Sequence, residues 1–199
     1  MRVWVFVESW QIECCWPPPA VGESRVWNLG LDVGQAGVDG VRVWDGIVEA
    51  STAADPGGPP AVFRFEDFDV SWWDRSGHAG PTSVSGRLFH DVHTDIGDVV
   101  APSTGTVLGV RVEQREFAVR SDPGGGVSWT PTDEPAGYRP VQVSPKWFAG
   151  EPDTGATSRR IETGVLVDVE ITAGGRRRAV RSAVVPAGRL TPRDLPNVL

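Results

Sequence analysis

Hydrophobic and polar residues alternate with a two-residue period along most of the chain, which is the period expected of β-strands. In the first such segment Val3, Val5 and Val7 point to one side and Trp4 and Phe6 to the other, so both faces are apolar. A strand of this kind is typical of the middle of a sheet. Further strands are predicted at residues 21–28, 41–50, 61–71, 82–92, 104–120, 139–147, 160–172 and 176–185.

Segments rich in Pro, Gly, Asp and Thr separate these strands and predict long loops at residues 51–60, 121–137 and 150–157. The predicted fold class is all-β, a small barrel or barrel-like sandwich with long Gly/Pro-rich loops. Residues 1–186 are predicted to form a single all-β domain. Residues 187–199 are predicted to be a C-terminal tail, with one short helix after Thr191.

Four glycines each stand at the start of an apolar strand segment: Gly46, Gly86, Gly105 and Gly164. In small barrels a glycine at such a place allows a sharp bend or a close approach of two backbones. We therefore interpret the repeated pattern as a feature of the architecture.

A tight hairpin is predicted with Gly174-Gly175 as its two-residue loop. In that register Val165 faces Val184, and Asp168 lies opposite Arg181 as an oppositely charged cross-strand pair. Apolar and charged side chains then sort onto separate faces, which supports the register.

The charge balance argues against nucleic acid as a partner. The formal net charge is −7 over 199 residues, whereas affinity for nucleic acid comes mainly from clustered cations. Lys146 is the single lysine, whereas Arg, Ala, Val, Gly and Asp are abundant. This amino-acid usage is typical of a GC-rich bacterial genome. Hydrophobic residues make up 40% of the chain, as in folded globular proteins.

The apolar run at the N-terminus ends at Glu8, which is too early for an export signal, and no window reaches the length of a membrane span. We therefore predict a cytoplasmic protein with no membrane partner. In that compartment Cys14 and Cys15 are expected to be reduced thiols, with a vicinal disulfide as the alternative.

One set of residues has the types that zinc prefers: Cys14 and Cys15, with His90 and His93 much later in the chain. Their spacing does not match known zinc signatures, and adjacent cysteines on a strand point to opposite faces. No cofactor is predicted, and zinc is kept as the alternative. The opposing interpretation is that the cysteines are buried apolar residues and the histidines lie at a strand end.

Large aromatic side chains suggest a second kind of site. Trp72-Trp73 and Trp129 either cap an edge of the barrel or form a contact surface for a protein or small-molecule partner. On a strand, one ring of an adjacent pair faces away from the core unless the sheet is covered on both sides.

The sequence contains no recognisable catalytic motif, so the leading prediction is a non-catalytic β-barrel binding or interaction module. The alternative is a zinc-binding protein or hydrolase that uses Cys14 or Cys15 with His90 or His93. An enzyme built on acidic residues such as Asp91, Asp95 and Asp98 also stays open, because acid–base pairs are recognised by geometry.

Several stretches resemble a domain-of-unknown-function family of small uncharacterised actinobacterial proteins. They are Val3-Trp4-Val5, Trp10-Gln11-Ile12-Glu13-Cys14-Cys15, Val21-Gly22-Glu23, Val26-Trp27, Thr104-Gly105-Thr106-Val107, Pro145-Lys146-Trp147-Phe148 and Gly164-Val165-Leu166-Val167-Asp168-Val169. Because these stretches are scattered over most of the chain, the resemblance implies a full-length relationship. Where the family pattern has a glycine after the cysteine pair, this chain has Trp16. The resemblance implies no activity.

Overall fold

The structure is a computed structural model that describes residues 1–33, 38–49, 61–72, 79–92, 100–121, 127–150 and 157–174. Its elements are β1 (Arg2–Glu8), α1 (Ser9–Cys14), β2 (Ser24–Trp27), β3 (Leu29–Val33), β4 (Arg42–Glu49), β5 (Ala61–Arg64), β6 (Asp69–Trp72), β7 (Gly80–His90), β8 (Ser103–Ser121), β9 (Val127–Pro131), β10 (Gly137–Val141) and β11 (Ser158–Ala173). The prediction of an all-β protein is confirmed.

Part of the sheet closes into a barrel of five strands. The strands β7, β3, β6, β5 and β4 follow one another, and β4 pairs with β7 again. On the other side of β7 the sheet continues through β1, β11, β8 and β10 as an extension of the barrel. The predicted small barrel is therefore confirmed, and further strands extend it. No helix in the described part of the chain has the length and apolar character that a bilayer crossing needs.

The longest pairing joins β8 and β11, which run antiparallel along nearly their whole length. Three short strands, β2, β10 and β9, also pair with β8, each over a different part of it. Pro140 lies in β10 and Pro131 ends β9, as expected of strands at a sheet edge, where a missing amide hydrogen is tolerated.

The core lies where the predicted alternation placed it. Val3, Val5 and Val7 are buried, and so are the alternate valines of β11 that pair with them. The first strand is central, as predicted, because β11 pairs with it on one side and β7 on the other.

Three local predictions were wrong. The single strand predicted at residues 61–71 is a hairpin of β5 and β6, whose turn is closed by a hydrogen bond from the Phe65 amide to the Phe68 carbonyl at 2.9 Å. The helix α1 was missed because its six residues are too short to show a helical period. The segment predicted as a loop at 121–137 contains β9, which pairs with the end of β8.

The predicted hairpin register after Gly174 is also wrong where it concerns β11. From Gly164 to Glu170 both edges of β11 are already paired, one with β1 and the other with β8. Asp168 contacts Arg2, whose Nε lies 2.8 Å from one carboxylate oxygen. Arg181 and the predicted strand at 176–185 lie outside the described residues, as do Thr191 and the predicted tail.

The four strand glycines stand at close backbone or side-chain approaches, as predicted. At Gly164 an added Cβ would lie 2.1 Å from the carbonyl oxygen of Val7, and φ is +155°. The residue also follows a register irregularity between β8 and β11. Without a side chain at this position, β1 and β11 can pair closely where the β8–β11 register shifts.

Replacing this glycine should therefore destabilise the protein strongly. For Gly164→Ala we expect the free energy of unfolding, measured by urea denaturation, to fall by about 2 kcal/mol or more. The matched control is Gly150→Ala, because a Cβ at Gly150 meets nothing within 4 Å. Equal losses in the two variants would contradict the steric account.

Candidate functional site

Three strands carry charged and aromatic side chains at alternate positions, on the face opposite to the valine core. These are Phe6 and Glu8 of β1, Arg87 and Phe89 of β7 with Asp91 just after it, and Glu113, Arg115 and Phe117 of β8. Residues two apart on a strand share a face, so each strand directs several of them into one space. With Trp10 and Gln11 of α1 they line a cavity of about 600 Å³, which we call the α1 cavity.

A buried carboxylate in the cavity wall joins four strands. Glu113 is 1% exposed. Its Oε2 accepts hydrogen bonds from Arg87 Nη1 at 2.6 Å and from the Tyr138 hydroxyl at 3.0 Å, and its Oε1 accepts one from the Thr163 hydroxyl at 2.9 Å. Both oxygens are thus satisfied, as a buried charge requires. The four side chains belong to β7, β8, β10 and β11.

The Arg87 side chain bridges strands that are not neighbours, since β1 and β11 lie between β7 and β8. Its guanidinium carbon lies 3.8 Å from the centroid of the Phe6 ring, which gives a cation–π contact. A Cβ on Gly164 would lie 3.0 Å from that ring, so the glycine leaves the space in which Phe6 supports the arginine.

Tyr138 extends the network towards the surface. Its hydroxyl accepts a hydrogen bond from the Asp39 amide at 2.6 Å while it donates to Glu113. Burial, together with the charge of Glu113, raises the pKa of Tyr138 above its usual range, so the hydroxyl keeps its proton. Arg111 forms an ion pair with Asp39 at 3.0 Å and stacks over Trp4.

Two polar atoms among the lining residues of the α1 cavity have no hydrogen-bond partner among the described residues. Gln11 is 3% exposed, and its Oε1 accepts no hydrogen bond. The Nε of Arg115 is buried and donates none. A buried polar atom left unpaired costs about 1–3 kcal/mol. Because neither atom is accessible to water, both are enclosed within the wall of the cavity and are not open to it.

His90 is the last residue of β7, as the strand-end interpretation expected, and lies in an aromatic cluster. Its ring centroid is 4.4 Å from that of Trp16 and 5.5 Å from that of Trp27. Its Nδ1 accepts a hydrogen bond from the Asn28 amide at 3.1 Å. Burial lowers the pKa of His90 to about 4, so the ring is neutral near pH 7.

Cys14 and Cys15 form a vicinal disulfide and are exposed, which differs from the expectation of reduced thiols. They lie at the end of α1 and in its C-cap, not on a strand, so their side chains do not point to opposite faces. His93 lies outside the described residues. Within the described ranges, no group of three or more His, Cys, Asp or Glu side chains is placed to hold a metal ion.

The tryptophans predicted as a contact surface are placed differently from one another. Trp72 is buried in the barrel core, 5% exposed, because both faces of β6 are covered. Trp73 lies outside the described residues. Trp129 lies half-buried on β9, where the Arg159 guanidinium stacks on its ring at 4.2 Å.

Sequence reasoning missed most of the α1 cavity. The sequence pattern that could have indicated the cavity is the placing of charged and aromatic residues at every second position of a strand, as in Glu113, Arg115 and Phe117. Of the three acids considered from the sequence, Asp91 lines the cavity, while Asp95 and Asp98 lie outside the described residues.

Breaking the Arg87–Glu113 pair should destabilise the fold. For Arg87→Met we expect the free energy of unfolding at pH 7 to fall by about 3 kcal/mol or more, because Glu113 keeps a buried charge without its cation. Adding Glu113→Leu should recover part of the loss. Asp39→Asn, which removes a half-exposed ion pair, serves as the control and should cost less than about 1 kcal/mol. If Arg87→Met lowered the free energy of unfolding no more than Asp39→Asn does, the Arg87–Glu113 pair would not be a main stabiliser of the fold.

His90 should make stability depend on pH below neutrality. Its folded pKa of about 4 is below the ordinary 6.5, so between these values the unfolded chain binds a proton that the folded chain does not. The contribution of neutral His90 to the free energy of unfolding is fully present above pH 6.5. It should fall by about 3 kcal/mol as the pH approaches 4. Urea titrations of wild type and His90→Gln across this range test it. Two curves that stay parallel would disprove the assignment.

A family model described as a family of unknown function (DUF6578) matches residues 1–171. No curated protein and no solved structure matches the chain. The match agrees with the resemblance seen in the sequence and spans all the described residues of the α1 cavity. The chain therefore belongs to this family of unknown function.

Proposed function

We propose that this protein is a non-catalytic binding module that holds a small molecule in the α1 cavity. The observation that carries the proposal is the α1 cavity itself, whose lining combines the rings of Phe89 and Phe117 with charged side chains such as Asp91 and Arg115.

The size and lining of the cavity support the same proposal. Its volume of about 600 Å³ is within the range of small-molecule sites. The rings of Phe89 and Phe117 provide apolar contact, and a few polar groups can orient a ligand. The sequence suggested an aromatic contact surface at Trp72-Trp73 or Trp129, and we propose it at these two phenylalanines instead.

Binding is favoured over acid–base catalysis because the most buried carboxylate of the cavity is committed to the fold. Both oxygens of Glu113 accept hydrogen bonds, and Arg87 neutralises its charge. A general base needs an oxygen within reach of the substrate's proton. The compartment that we propose is the cytoplasm.

The test is a titration of ¹⁵N-labelled protein with indole, a neutral apolar probe, followed by amide chemical shifts. We expect saturable changes centred on Gln11, Phe89 and Phe117, with a Kd on the order of 1 mM for a molecule of this size. Phe117→Ala should weaken binding by about tenfold, because it removes one ring from the cavity wall.

The control is Trp147→Ala, which removes a ring that is 71% exposed and does not line the cavity. It should leave the affinity for indole unchanged. The proposal fails if indole perturbs the surface around Trp147 and not the cavity, or if Phe117→Ala binds indole as well as wild type does.

A further inference from the structure

We infer that Cys14 and Cys15 are a reversible thiol–disulfide exchange site, which small-molecule disulfides oxidise and small-molecule thiols reduce while the protein stays folded. Such a site works independently of the α1 cavity and so goes beyond the proposed function. The chain has two cysteines in all, so every thiol of the protein belongs to this pair.

The pair is open to solvent. Cys14 and Cys15 are exposed, whereas Gln11 and Ile12, earlier in the same helix, are buried. Thiol–disulfide exchange begins with the attack of a thiolate on one sulfur, so access to the sulfur atoms decides whether a small molecule reacts. Exposed disulfides are accordingly among those that exchange, while structural disulfides resist reduction.

The bond between the two cysteines contributes little to the stability of the fold. A disulfide stabilises mainly by closing a loop in the unfolded chain, and its effect grows with the number of residues enclosed. Cys14 and Cys15 are neighbours in sequence, so this loop is the smallest that a chain can form. The bond also joins no separate elements, because both cysteines lie at the end of α1. Opening it therefore costs the folded state little.

Other contacts hold the end of α1 when the disulfide is open. The Cys15 and Trp16 amides both donate to the Gln11 carbonyl, at 2.9 and 2.8 Å. Lys146 Nζ donates to the Ile12 carbonyl, another of the last carbonyls of the helix, which need such partners. None of these hydrogen bonds involves a sulfur atom, so reduction leaves them in place.

The residues on either side of the pair are anchored as well. The centroid of the Trp16 ring lies 4.4 Å from that of His90, and the Arg25 guanidinium carbon lies 4.8 Å from the same centroid. Before the pair, Glu13 Oε1 accepts a hydrogen bond from the Phe148 amide at 2.9 Å. The backbone on both sides is thus fixed to the rest of the protein, and the two cysteines keep their place in the dithiol form.

The exchange passes two electrons from the cysteine pair to a small disulfide. The thiolate of one cysteine attacks a sulfur of the disulfide, forms a mixed disulfide and releases one thiolate. The thiolate of the neighbouring cysteine then attacks the protein sulfur of the mixed disulfide, which forms the Cys14–Cys15 bond and releases the second thiolate. The two protons lost by the cysteines go to the two released thiolates. Because the second step joins neighbouring residues, it is favoured over attack by another small molecule.

A redox titration with glutathione tests the site. Wild type is equilibrated without denaturant at varied ratios of oxidised to reduced glutathione, and free thiols are then trapped with iodoacetamide and counted by mass spectrometry. We expect a transition between two trapped thiols and none, with the glutathione adduct a minor species at every ratio. Dithiothreitol should convert the disulfide form into the dithiol without urea.

The dithiol form should stay folded. Its urea midpoint should lie within about 1 M of that of the disulfide form, because the loop that the bond closes is so small. Amide chemical shifts of ¹⁵N-labelled protein should differ between the two forms around Cys14 and Cys15 and keep the dispersion of a folded protein throughout.

Single substitutions separate the two steps. In Cys14→Ser and Cys15→Ser the remaining thiol has no neighbour to displace the small molecule, so oxidised glutathione should convert each variant into a one-glutathione adduct. Ser9→Ala is the matched control, because it changes the same helix and leaves both cysteines in place. It should titrate as wild type does.

Four outcomes would disprove the exchange site. Native wild type would keep its disulfide in excess dithiothreitol and lose it only in urea, or would stay a dithiol in excess oxidised glutathione. Alternatively, the dithiol form would be unfolded, or wild type would accumulate the glutathione adduct as the single variants do. None of these outcomes bears on the binding of indole in the α1 cavity, so the proposed function is tested separately.

Discussion

The ion pair between Arg87 and Glu113 is the interaction on which the two parts of the molecule depend. Arg87 belongs to a strand of the closed barrel, and Glu113 belongs to the long strand of the extension. Because both groups are buried, each is stable only in the presence of the other. Tyr138 and Thr163 complete the coordination of the carboxylate and so bring two more strands to the same point. The face that carries the α1 cavity is therefore held by a polar core, while the opposite face is held by valines.

Most of the fold could be predicted from the sequence because period-two alternation is a local property. The central position of β1 followed from its two apolar faces, and the close approach at Gly164 followed from a glycine in an apolar strand. The predictions that failed concern pairing between strands that are distant in sequence. The register proposed for Asp168 was reasonable locally, but β1 and β8 already occupy both edges of its strand. No local pattern indicates which strands compete for an edge.

The candidate site was harder to predict because its residues are distinguished by their burial, which the sequence does not show. Gln11 and Arg115 are ordinary polar residues in the sequence, and they become informative only when an unpaired atom of each is found enclosed in the structure. Trp72 shows the converse, since its ring attracted attention but is covered on both sides. The cysteine pair was judged as if it lay on a strand, whereas it ends a helix. The sequence shows the chemistry of every side chain, but it does not show the direction in which each side chain points.

The way in which β8 is covered has an evolutionary consequence. Its second edge is shared by β2, β10 and β9, each of which pairs with a separate stretch. The connections between these short strands can therefore lengthen, shorten or change composition without shifting the register of their neighbours. Glu113 and Arg115 lie on the one strand common to all three pairings, so their position is insulated from such changes. Relatives could diverge widely along this edge and still hold these two side chains in the same place.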